Sequence, residues 1–528
     1  MAVDHSALEV DGLALDEDQS VELTGWKDAA SGAAAADFPL AIANIRLDPH
    51  SPLPIHEQIC QSIRAAVAAQ ELPAATLLPS SRELAQYLGV ARNTVAFAYV
   101  RLVAEGVCVS NTRRGTRIAT DFPVRSGVAG VVSEERSRLR SSMRTAFHVR
   151  SALEVGIDRG PNGAPFVLNA SDPVLYPRTK LGRRIAQKFL DVPLRSQATH
   201  MSEPSRFQTS LAAYLRSARG VVCEPSQVIA VTGLEGALDL TTRVLLDPGD
   251  TVQVQDPAMD IAHSVFFAAR ANIVPIPTDA HGADPESVVG PPARLICVSP
   301  SVSFPHGTQM SEQRRRAVLR AARAQNAIIL ENEGYCEMRY GGLRLSSIQG
   351  MDEDGQVVYC GSFAEALGHS VDIGYLVVPP TLVESFVEMG RRISNAPPRQ
   401  LQDAVAEFVD EHEYAFHARN VRSVYADRLK TVMRACREYL PRCSVVDPNG
   451  GLFVVLRPEH PLDDVAVCNE AAAEGIPVRP LSRYFISRAV ERGVVLGFGA
   501  IAERAIRAAV QQLAVVLARH EARSGNAA

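Results

Sequence analysis

The sequence predicts an α/β protein with a separate small helical unit towards its N-terminus. From about residue 166 onward, predicted strands alternate with predicted helices. Such alternation is typical of a largely parallel sheet that is covered by helices on both faces. Between residues 50 and 120, three amphipathic helices are followed by two short strands. The chain has 528 residues, which is enough for both units.

The pattern divides the chain into five consecutive segments. We expect a mostly disordered tail over 1–49, because this stretch is rich in Ala, Asp and Gly and has weak periodicity. The small unit covers 50–120, and a linker over 121–165 leads to the α/β block. The pattern changes near the middle of that block. It therefore predicts a large domain over 166–395 and a smaller α+β domain over 396–528.

The composition predicts a globular protein of a reducing compartment. Hydrophobic residues make up 46% and charged residues 21% of the chain, which is ordinary for this class. The nine cysteines contain no C-x-x-C pair, which favours free thiols over a disulfide framework. There is no membrane-spanning apolar run and no basic segment that would begin a signal peptide. We therefore expect a cytoplasmic protein without a membrane partner.

The small unit has the helix and turn signals of a winged helix-turn-helix. Ser80 and Glu83 fit a capping box at the start of its second helix. Gly89 supplies the following turn, and Gly106 ends the third helix. The stretch "VCVSNTRRGTRIAT" then predicts two short strands around an Arg-Arg-Gly turn. Three helices followed by a β-hairpin are the elements of this fold.

Arginine and amide side chains lie where such a unit would meet DNA. The third helix, which would be the recognition helix, begins with Arg92, Asn93 and Thr94. Arginine can pair with guanine, and asparagine with adenine, through two hydrogen bonds. Further candidates are Arg82 on the preceding helix and Arg113 and Arg114 at the hairpin tip. Residues 51–120 carry seven arginines and four glutamates, although the whole chain has a net charge of −5. The alternative is a solvated basic surface on a small helical domain.

The run "LPSSRELAQYLGVARNTVAFAYVRLVAEG" resembles the signature of GntR-type winged helices. The resemblance implies that operator DNA is contacted by Arg82, Arg92, Asn93, Thr94 and Gly115. Ala91 stands where that family usually has serine or threonine as the cap of the recognition helix. Loss of this cap should cost roughly 1 kcal/mol of stability.

The α/β block resembles the fold-type I pyridoxal-phosphate aminotransferases. The resemblance is carried by "VTGLEGALDLTTRVLLDPGD", "AIILENEGYCEMRY" and "GSFAEALGHSVDIGYLVVPP". A GntR-like head joined to such a domain is the arrangement of MocR-type transcription regulators. This arrangement implies a homodimer that binds double-stranded operator DNA, with pyridoxal phosphate as the family ligand. In some members a small effector molecule also binds to the second domain.

The position of the cofactor-binding lysine is occupied by Glu365. In the family, a lysine after "GSFS" or "GTFS" forms a Schiff base with the cofactor, which requires an amine. The family also places an arginine before "IGY" to hold the phosphate, whereas this chain has Asp372. A carboxylate about 5 Å from a phosphate is repelled by roughly 3 kcal/mol per pair of unit charges at an effective dielectric constant near 20.

Other cofactor-binding positions of the family are altered in the same direction. The phosphate-binding turn keeps Gly233 but continues with Leu234 and Glu235. The aspartate that pairs with the pyridine nitrogen corresponds to Asn332, and a nearby tyrosine corresponds to Gly334. Ser362 belongs to the retained "GSF" frame. The resemblance therefore implies a pyridoxal-phosphate site whose frame remains and whose chemistry is lost, so that the cofactor is not bound covalently.

These observations predict a DNA-binding transcription regulator with no catalytic residue and no metal site. Three interpretations of the second domain stay open. It can serve as a dimerisation platform, as an acidic pocket for a cation or polyamine, or as a site that holds the cofactor without a Schiff base. The competing class of function is a pyridoxal-phosphate-dependent aminotransferase with an accessory DNA-binding domain, and Glu365 argues against it.

Overall fold

A computed structural model describes residues 38–49, 51, 53–111, 115–120, 164–191, 204–342, 345–460, 462–486 and 491–525. The chain divides into two compact units, Met1–Arg144 and Thr145–Ala528. We call the first unit the head and the second the aminotransferase-like unit. The predicted tail up to residue 37, and all but the last two residues of the predicted linker, lie outside the described residues.

The head contains the predicted three helices and β-hairpin, preceded by one short helix. Its elements are α1 (Leu40–Ala43), α2 (Ile55–Ala68), α3 (Ser81–Leu88), α4 (Arg92–Ala104), β1 (Cys108–Asn111) and β2 (Gly115–Ile118). The two strands pair antiparallel, with Cys108 opposite Ile118 and Asn111 opposite Gly115. Ile59, Leu84 and Leu102 from the three main helices are fully buried in one core. The predicted winged helix-turn-helix elements are therefore all present.

Residues 38–49 belong to the head, so the predicted tail is wrong for this stretch. Ile42 on α1 is fully buried, and Ile45 is 5% exposed in the same core as the three main helices. The hydroxyl of Tyr87 donates a hydrogen bond to the carbonyl oxygen of Ala43 at 2.7 Å. A helix of four residues is too short to show a periodic pattern. Its burial depends on partners that follow much later in the chain.

The aminotransferase-like unit is built on an eight-stranded sheet. Its strands are β3 (Val228–Thr232), β4 (Thr251–Asp256), β5 (Asn272–Asp279), β6 (Gly282–Ala283), β7 (Leu295–Val298), β8 (Ile328–Asn332), β9 (Val357–Ser362) and β10 (Ile373–Val377). The strand order is β3-β10-β9-β8-β7-β4-β5-β6. The five central strands, from β9 to β5, run parallel. By contrast, β10 pairs antiparallel with both β3 and β9, and β6 pairs antiparallel with β5. The prediction of a largely parallel sheet is confirmed.

Helices cover both faces of this sheet and connect it to a second, smaller sheet. The helices that precede the long α13 (Glu413–Tyr439) in this unit are α5 (Arg178–Leu190), α6 (Arg206–Arg219), α7 (Gly233–Leu245), α8 (Asp260–Ala268), α9 (Glu312–Gln325), α10 (Ala364–Leu367), α11 (Val383–Arg392) and α12 (Arg399–Asp410). The long α13 leads to the smaller part.

The smaller part is the predicted α+β region. It contains β11 (Cys443–Val446), β12 (Phe453–Pro458), β13 (Arg479–Pro480), β14 (Val494–Gly497), α14 (Asp464–Ala473) and α15 (Glu503–Gly525). Its four strands are all antiparallel, in the order β11-β12-β14-β13. None of the helices in the described part of the chain is long and apolar enough to cross a membrane.

Candidate functional site

The recognition helix of the head is positioned by two strong helix signals on its neighbour α3. The hydroxyl of Ser80 accepts the backbone N–H of Glu83 at 3.2 Å, and the Glu83 carboxylate accepts the N–H of Ser80 at 2.8 Å. The predicted capping box is thus present. Gly89 ends α3 with a φ of +68°, a conformation that glycine adopts without strain. This sharp turn lets α4 begin only three residues later, at Arg92.

Four of the predicted DNA-contacting residues lie together on the two helices. Arg82, Arg92 and Asn93 are exposed, and Thr94 is half-buried. Arg101 lies further along α4 and is engaged within the head, where it pairs with Glu57 at 2.6 Å. Arg101 is itself exposed, so it differs from Arg82 and Arg92 in its ion pair with Glu57 and its later place on the helix, not in burial.

The wing is described only in part. Arg113 and Arg114 lie outside the described residues. Gly115 begins β2 with a φ of +75°, and a methyl group added there would lie 3.1 Å from the Leu77 side chain. Ala91 precedes α4 and makes no side-chain capping bond, because the methyl side chain of alanine has no hydrogen-bond acceptor.

Glu365 lies in the short helix α10, immediately after β9. The hydroxyl of Ser362 accepts the N–H of Ala364 at 3.0 Å and so stabilises the turn into this helix. The Glu365 side chain is 9% exposed, and its Oε2 has no hydrogen-bond partner. Burial, together with the nearby negative charges of Asp372 and Glu337, raises the pKa of Glu365 to about 8. The position that resembles the Schiff-base lysine thus holds a buried carboxyl group that is largely protonated at neutral pH.

Asp372 lies against the first turn of α7, where the family would hold the cofactor phosphate. The N–H of Gly233, the first residue of α7, donates to the carbonyl oxygen of Asp372 at 3.0 Å. A methyl group added at Gly233 would overlap the Asp372 carboxylate, and one added at Gly374 would overlap the carbonyl oxygen of Gly233. Helix N-termini favour anions. The Asp372 carboxylate therefore contacts the helix end with a negative charge of its own.

Leu234 and Asn332 complete the altered frame around the position of the cofactor ring. A methyl group added at Gly334 would lie 2.7 Å from the Leu234 side chain, so a tyrosine at this position would displace Leu234. The Asn332 side-chain oxygen accepts the N–H of Gly334 at 3.1 Å. Glu235 is exposed in the first turn of α7. Of the residues predicted here, Asp372 lies against Gly233, and both Leu234 and Asn332 lie beside Gly334. Glu365 is the second residue of α10 and lies three residues after Ser362.

Sequence reasoning missed two tyrosines that lie near Glu365. The hydroxyl of Tyr335 donates to the side-chain oxygen of Asn169 at 2.8 Å, and the Glu365 charge raises the pKa of buried Tyr335 in addition to the larger effect of burial. The ring of Tyr176 packs on Gly368, where an added methyl group would lie 2.6 Å from the ring. Tyr335 was within reach of prediction, because it follows Gly334 directly in a motif that already carried the resemblance.

Comparisons with known proteins agree with both parts of this architecture. Residues 178–490 match the family model "Aminotransferase class I and II", and residues 55–118 match "Bacterial regulatory proteins, gntR family". The chain is 33% identical to the probable rhizopine catabolism regulatory protein MocR of Rhizobium meliloti, over 88% of this chain and 94% of that protein. It is 26% identical to the pyridoxine biosynthesis regulator PdxR of Corynebacterium glutamicum, over 89% and 97% respectively.

Solved structures show the fold of the second unit. An archaeal alanine:glyoxylate aminotransferase superimposes with a TM-score of 0.64 over 72% of this chain and 98% of that one, at 22% identity. The multiple substrate aminotransferase of Thermococcus profundus gives the same TM-score and identity. At this level of identity the likeness concerns the fold, and the chemistry depends on the residues at the site.

Proposed function

The chain belongs to the MocR-type transcription regulators, in which a GntR-family DNA-binding domain is joined to an aminotransferase class I and II domain, and from this premise we propose that its second domain does not perform pyridoxal-phosphate chemistry. The protein is a DNA-binding transcription regulator. The aminotransferase fold belongs to a pyridoxal-phosphate-dependent family. The proposal concerns what this chain's own residues do at the corresponding site.

The observation that carries the proposal is the carboxyl group of Glu365. Condensation with an aldehyde requires an amine, which a carboxyl group does not have. The three lysines in the described part of the chain are engaged elsewhere. Lys180 pairs with Glu413, Lys188 with Glu407 and Lys430 with Asp427. This supports a site that forms no Schiff base.

Two further features disfavour the cofactor itself. The phosphate would meet the Asp372 carboxylate at the start of α7, where like charges repel. The ring would meet Leu234 and Asn332, and a neutral amide cannot supply the charge that keeps a pyridine nitrogen protonated. The residues present therefore do not fit pyridoxal phosphate, and the competing function as an aminotransferase with an accessory DNA-binding domain is disfavoured for the same reason.

Borohydride trapping tests this proposal directly. We expect that the purified chain, mixed with excess pyridoxal phosphate and then reduced, carries no pyridoxyl group in intact-mass and peptide analysis. Glu365→Lys alone should also fail, because Asp372 and Asn332 still oppose the phosphate and the protonated ring. The combined change Glu365→Lys, Asp372→Arg and Asn332→Asp is expected to regain trapping more readily than the single change. A pyridoxyl group found at a single lysine of the unmodified chain would refute the proposal.

We also propose that the protein is a cytoplasmic homodimer and that Arg82, Arg92, Asn93, Thr94, Arg113, Arg114 and Gly115 contact the operator. Paired winged helices bind two half-sites, and a two-fold assembly presents them in matching orientation. The exposure of Arg82, Arg92 and Asn93 on adjacent helices supports these contacts. Sedimentation should give a mass near twice 56.9 kDa. A monomer at all concentrations with full operator affinity would contradict the dimer.

The role of the second domain then follows from its retained frame. We propose that it serves dimerisation, and that any small-molecule effector bound near Glu365 and Asp372 would be a cation or polyamine, because Asp372 is acidic and the site offers no positive side chain in place of the family's lysine and arginine. Equilibrium dialysis with spermidine as the probe, compared between the parent and Asp372→Asn, would measure this preference. Equal binding to both proteins would leave the domain as a platform for assembly.

A further inference from the structure

A polar cavity that Glu365 does not line lies in the aminotransferase-like unit, on the face of the sheet opposite α7. On β9, Val358 and Cys360 pack on the α7 side, whereas Tyr359 between them packs on the other side. The ring of Tyr359 lines a cavity of about 350 Å³. The other walls come from α6, from α13 and from the segment that follows β8.

The cavity is lined by more positive than negative side chains. Four arginines and two glutamates contribute to its wall. Glu337 is held on several sides: it accepts the hydroxyl of Tyr214 at 2.7 Å, lies 2.5 Å from Arg219 and lies 3.4 Å from Arg422. Its charge is therefore balanced by the two arginines around it. Arg419 lies on the exposed side of α13 and adds a further positive charge at the edge of the cavity.

Polar atoms in this wall are buried without a hydrogen-bond partner, among them the hydroxyl of Tyr359, the Oε2 of Glu333 and the Nε of Arg219. The Tyr359 side chain is 1% exposed and that of Glu333 is 3% exposed. Buried polar groups in folded proteins are nearly always hydrogen-bonded. Unpartnered atoms that line one cavity therefore indicate that polar atoms of another molecule complete their bonds.

The arginines of the wall bind negatively charged ligand atoms, whereas Glu333 and Tyr359 can accept hydrogen bonds from ligand donors. Guanidinium groups bind carboxylates through paired charge-assisted hydrogen bonds. A carboxylate oxygen such as Glu333 Oε2 accepts a hydrogen bond, and the Tyr359 hydroxyl can also accept one. A ligand that satisfies both groups has a carboxylate at one end and a hydroxyl or amino group nearby.

We propose that this cavity binds a small organic acid that also carries a hydrogen-bond donor, either a hydroxy acid or an amino acid. A volume of about 350 Å³ has room for about ten water molecules. A five-carbon dicarboxylic acid with one hydroxyl or amino substituent is of similar size. The carboxylates are held by Arg419 and by the arginines of the wall, and the donor group is held by Glu333 and Tyr359.

Calorimetry on the full chain with three matched probes tests the proposal. The probes are glutarate, 2-hydroxyglutarate and L-glutamate, which share two carboxylates and differ in the donor group. We expect at least one of the two donor-bearing probes to bind about tenfold more tightly than glutarate, the effect of one buried hydrogen bond. Tyr359→Phe removes only the hydroxyl and should reduce this advantage.

Two arginine variants separate this cavity from general attraction to a charged surface. Arg419→Ala should weaken binding of all three probes by about tenfold. Arg437→Ala is the matched control, because Arg437 is exposed on the same helix and does not line the cavity. It should leave binding unchanged.

Two results would overturn the proposal. In the first, none of the three probes binds, and the cavity then holds water alone. In the second, Arg419→Ala and Arg437→Ala bind the probes equally well. The measurement uses no DNA and no pyridoxal phosphate, so its outcome is independent of the function proposed above.

Discussion

The head and the cofactor-type site of the aminotransferase-like unit both keep the backbone frame of their families, but they differ in the side chains that would perform the chemistry. In the head, Arg92 and Asn93 stand exposed at the start of α4, as base contacts require. In the aminotransferase-like unit, Glu365 and Asp372 stand where the resemblance predicts an amine and a cation. The proposed function therefore assigns both frame and chemistry to the first region and the frame alone to the second.

This difference shows that the fold of a domain and the chemistry of its site depend on different residues. The turn at the start of α7 is held by the close approach of Gly233 and Gly374, and the sheet by buried aliphatic side chains such as Leu330 and Leu376. The aliphatic side chains carry no group that could take part in cofactor chemistry. A few polar substitutions can remove the chemistry while the packing that determines the fold stays intact.

The largest expected effect concerns the frame of the head. Ile42→Ala should lower the free energy of unfolding of the head by about 2–5 kcal/mol, because it empties a fully buried position. Leu40→Ala on the same short helix is the control: Leu40 is 83% exposed, and its loss should change stability by less than about 0.5 kcal/mol. Chemical denaturation of the isolated variants measures both. Equal effects would mean that α1 is not part of the head core.

The second prediction concerns the proposed DNA contacts of the head. Arg92→Ala should weaken specific operator binding by about 1–3 kcal/mol, the usual value of a bidentate base contact. Arg101→Ala is the control on the same helix, because Arg101 lies in the last turn of α4 and pairs with Glu57 and Glu105 of the head. It should leave operator affinity unchanged. Arg113→Ala should instead weaken all DNA sequences alike and flatten the salt dependence. Titration of labelled operator and non-operator DNA at several salt concentrations decides among these outcomes.

The third prediction concerns the buried carboxyl group of the other region. Burial, with the charge of Asp372, raises the pKa of Glu365 from 4.5 to about 8 in the folded chain. Between these values the folded state keeps a proton that the unfolded state has lost, so the stability of the parent falls as pH rises. Glu365→Gln has no such proton. Its stability relative to the parent should increase from about pH 4.5 to about pH 8 and then level off.

Because burial also raises the pKa of Glu331 and that of Glu333, the parent alone would show overlapping contributions from several carboxyl groups. The difference between parent and Glu365→Gln in urea denaturation isolates one of them. A difference that stays constant across this pH range would mean that Glu365 is ionised in the folded chain.

The smallest expected effect concerns the missing side-chain cap of α4. Ala91→Ser would supply a hydroxyl acceptor to the N–H groups at the start of α4 and should stabilise the head by about 1 kcal/mol. Ser80→Ala on the neighbouring helix removes an existing cap and should destabilise the head by a similar amount. Thermal melts of the two variants check the pair. If Ala91→Ser proved neutral, the start of α4 would already be satisfied by other groups.

Much of this molecule could be predicted from local patterns. Ser80, Glu83 and Gly89 are read within one short segment, because capping and turn signals act between residues that are close in the chain. The alternation of strands and helices predicted the parallel sheet. The replacement of lysine by Glu365 is likewise visible in a single motif.

The sequence by itself therefore determined the class of each domain, and it predicted that no amine stands at the position of Glu365 in the cofactor motif. Only the tertiary structure decided what the replaced residues do. It placed Asp372 on the end of α7, packed Leu234 beside Gly334, and buried Ile42 in the head. It also brought Tyr359 and Glu333 into one charged cavity. The physical reason is distance along the chain: these contacts join segments far apart in sequence, and a local pattern carries no information about the partner that burial will select.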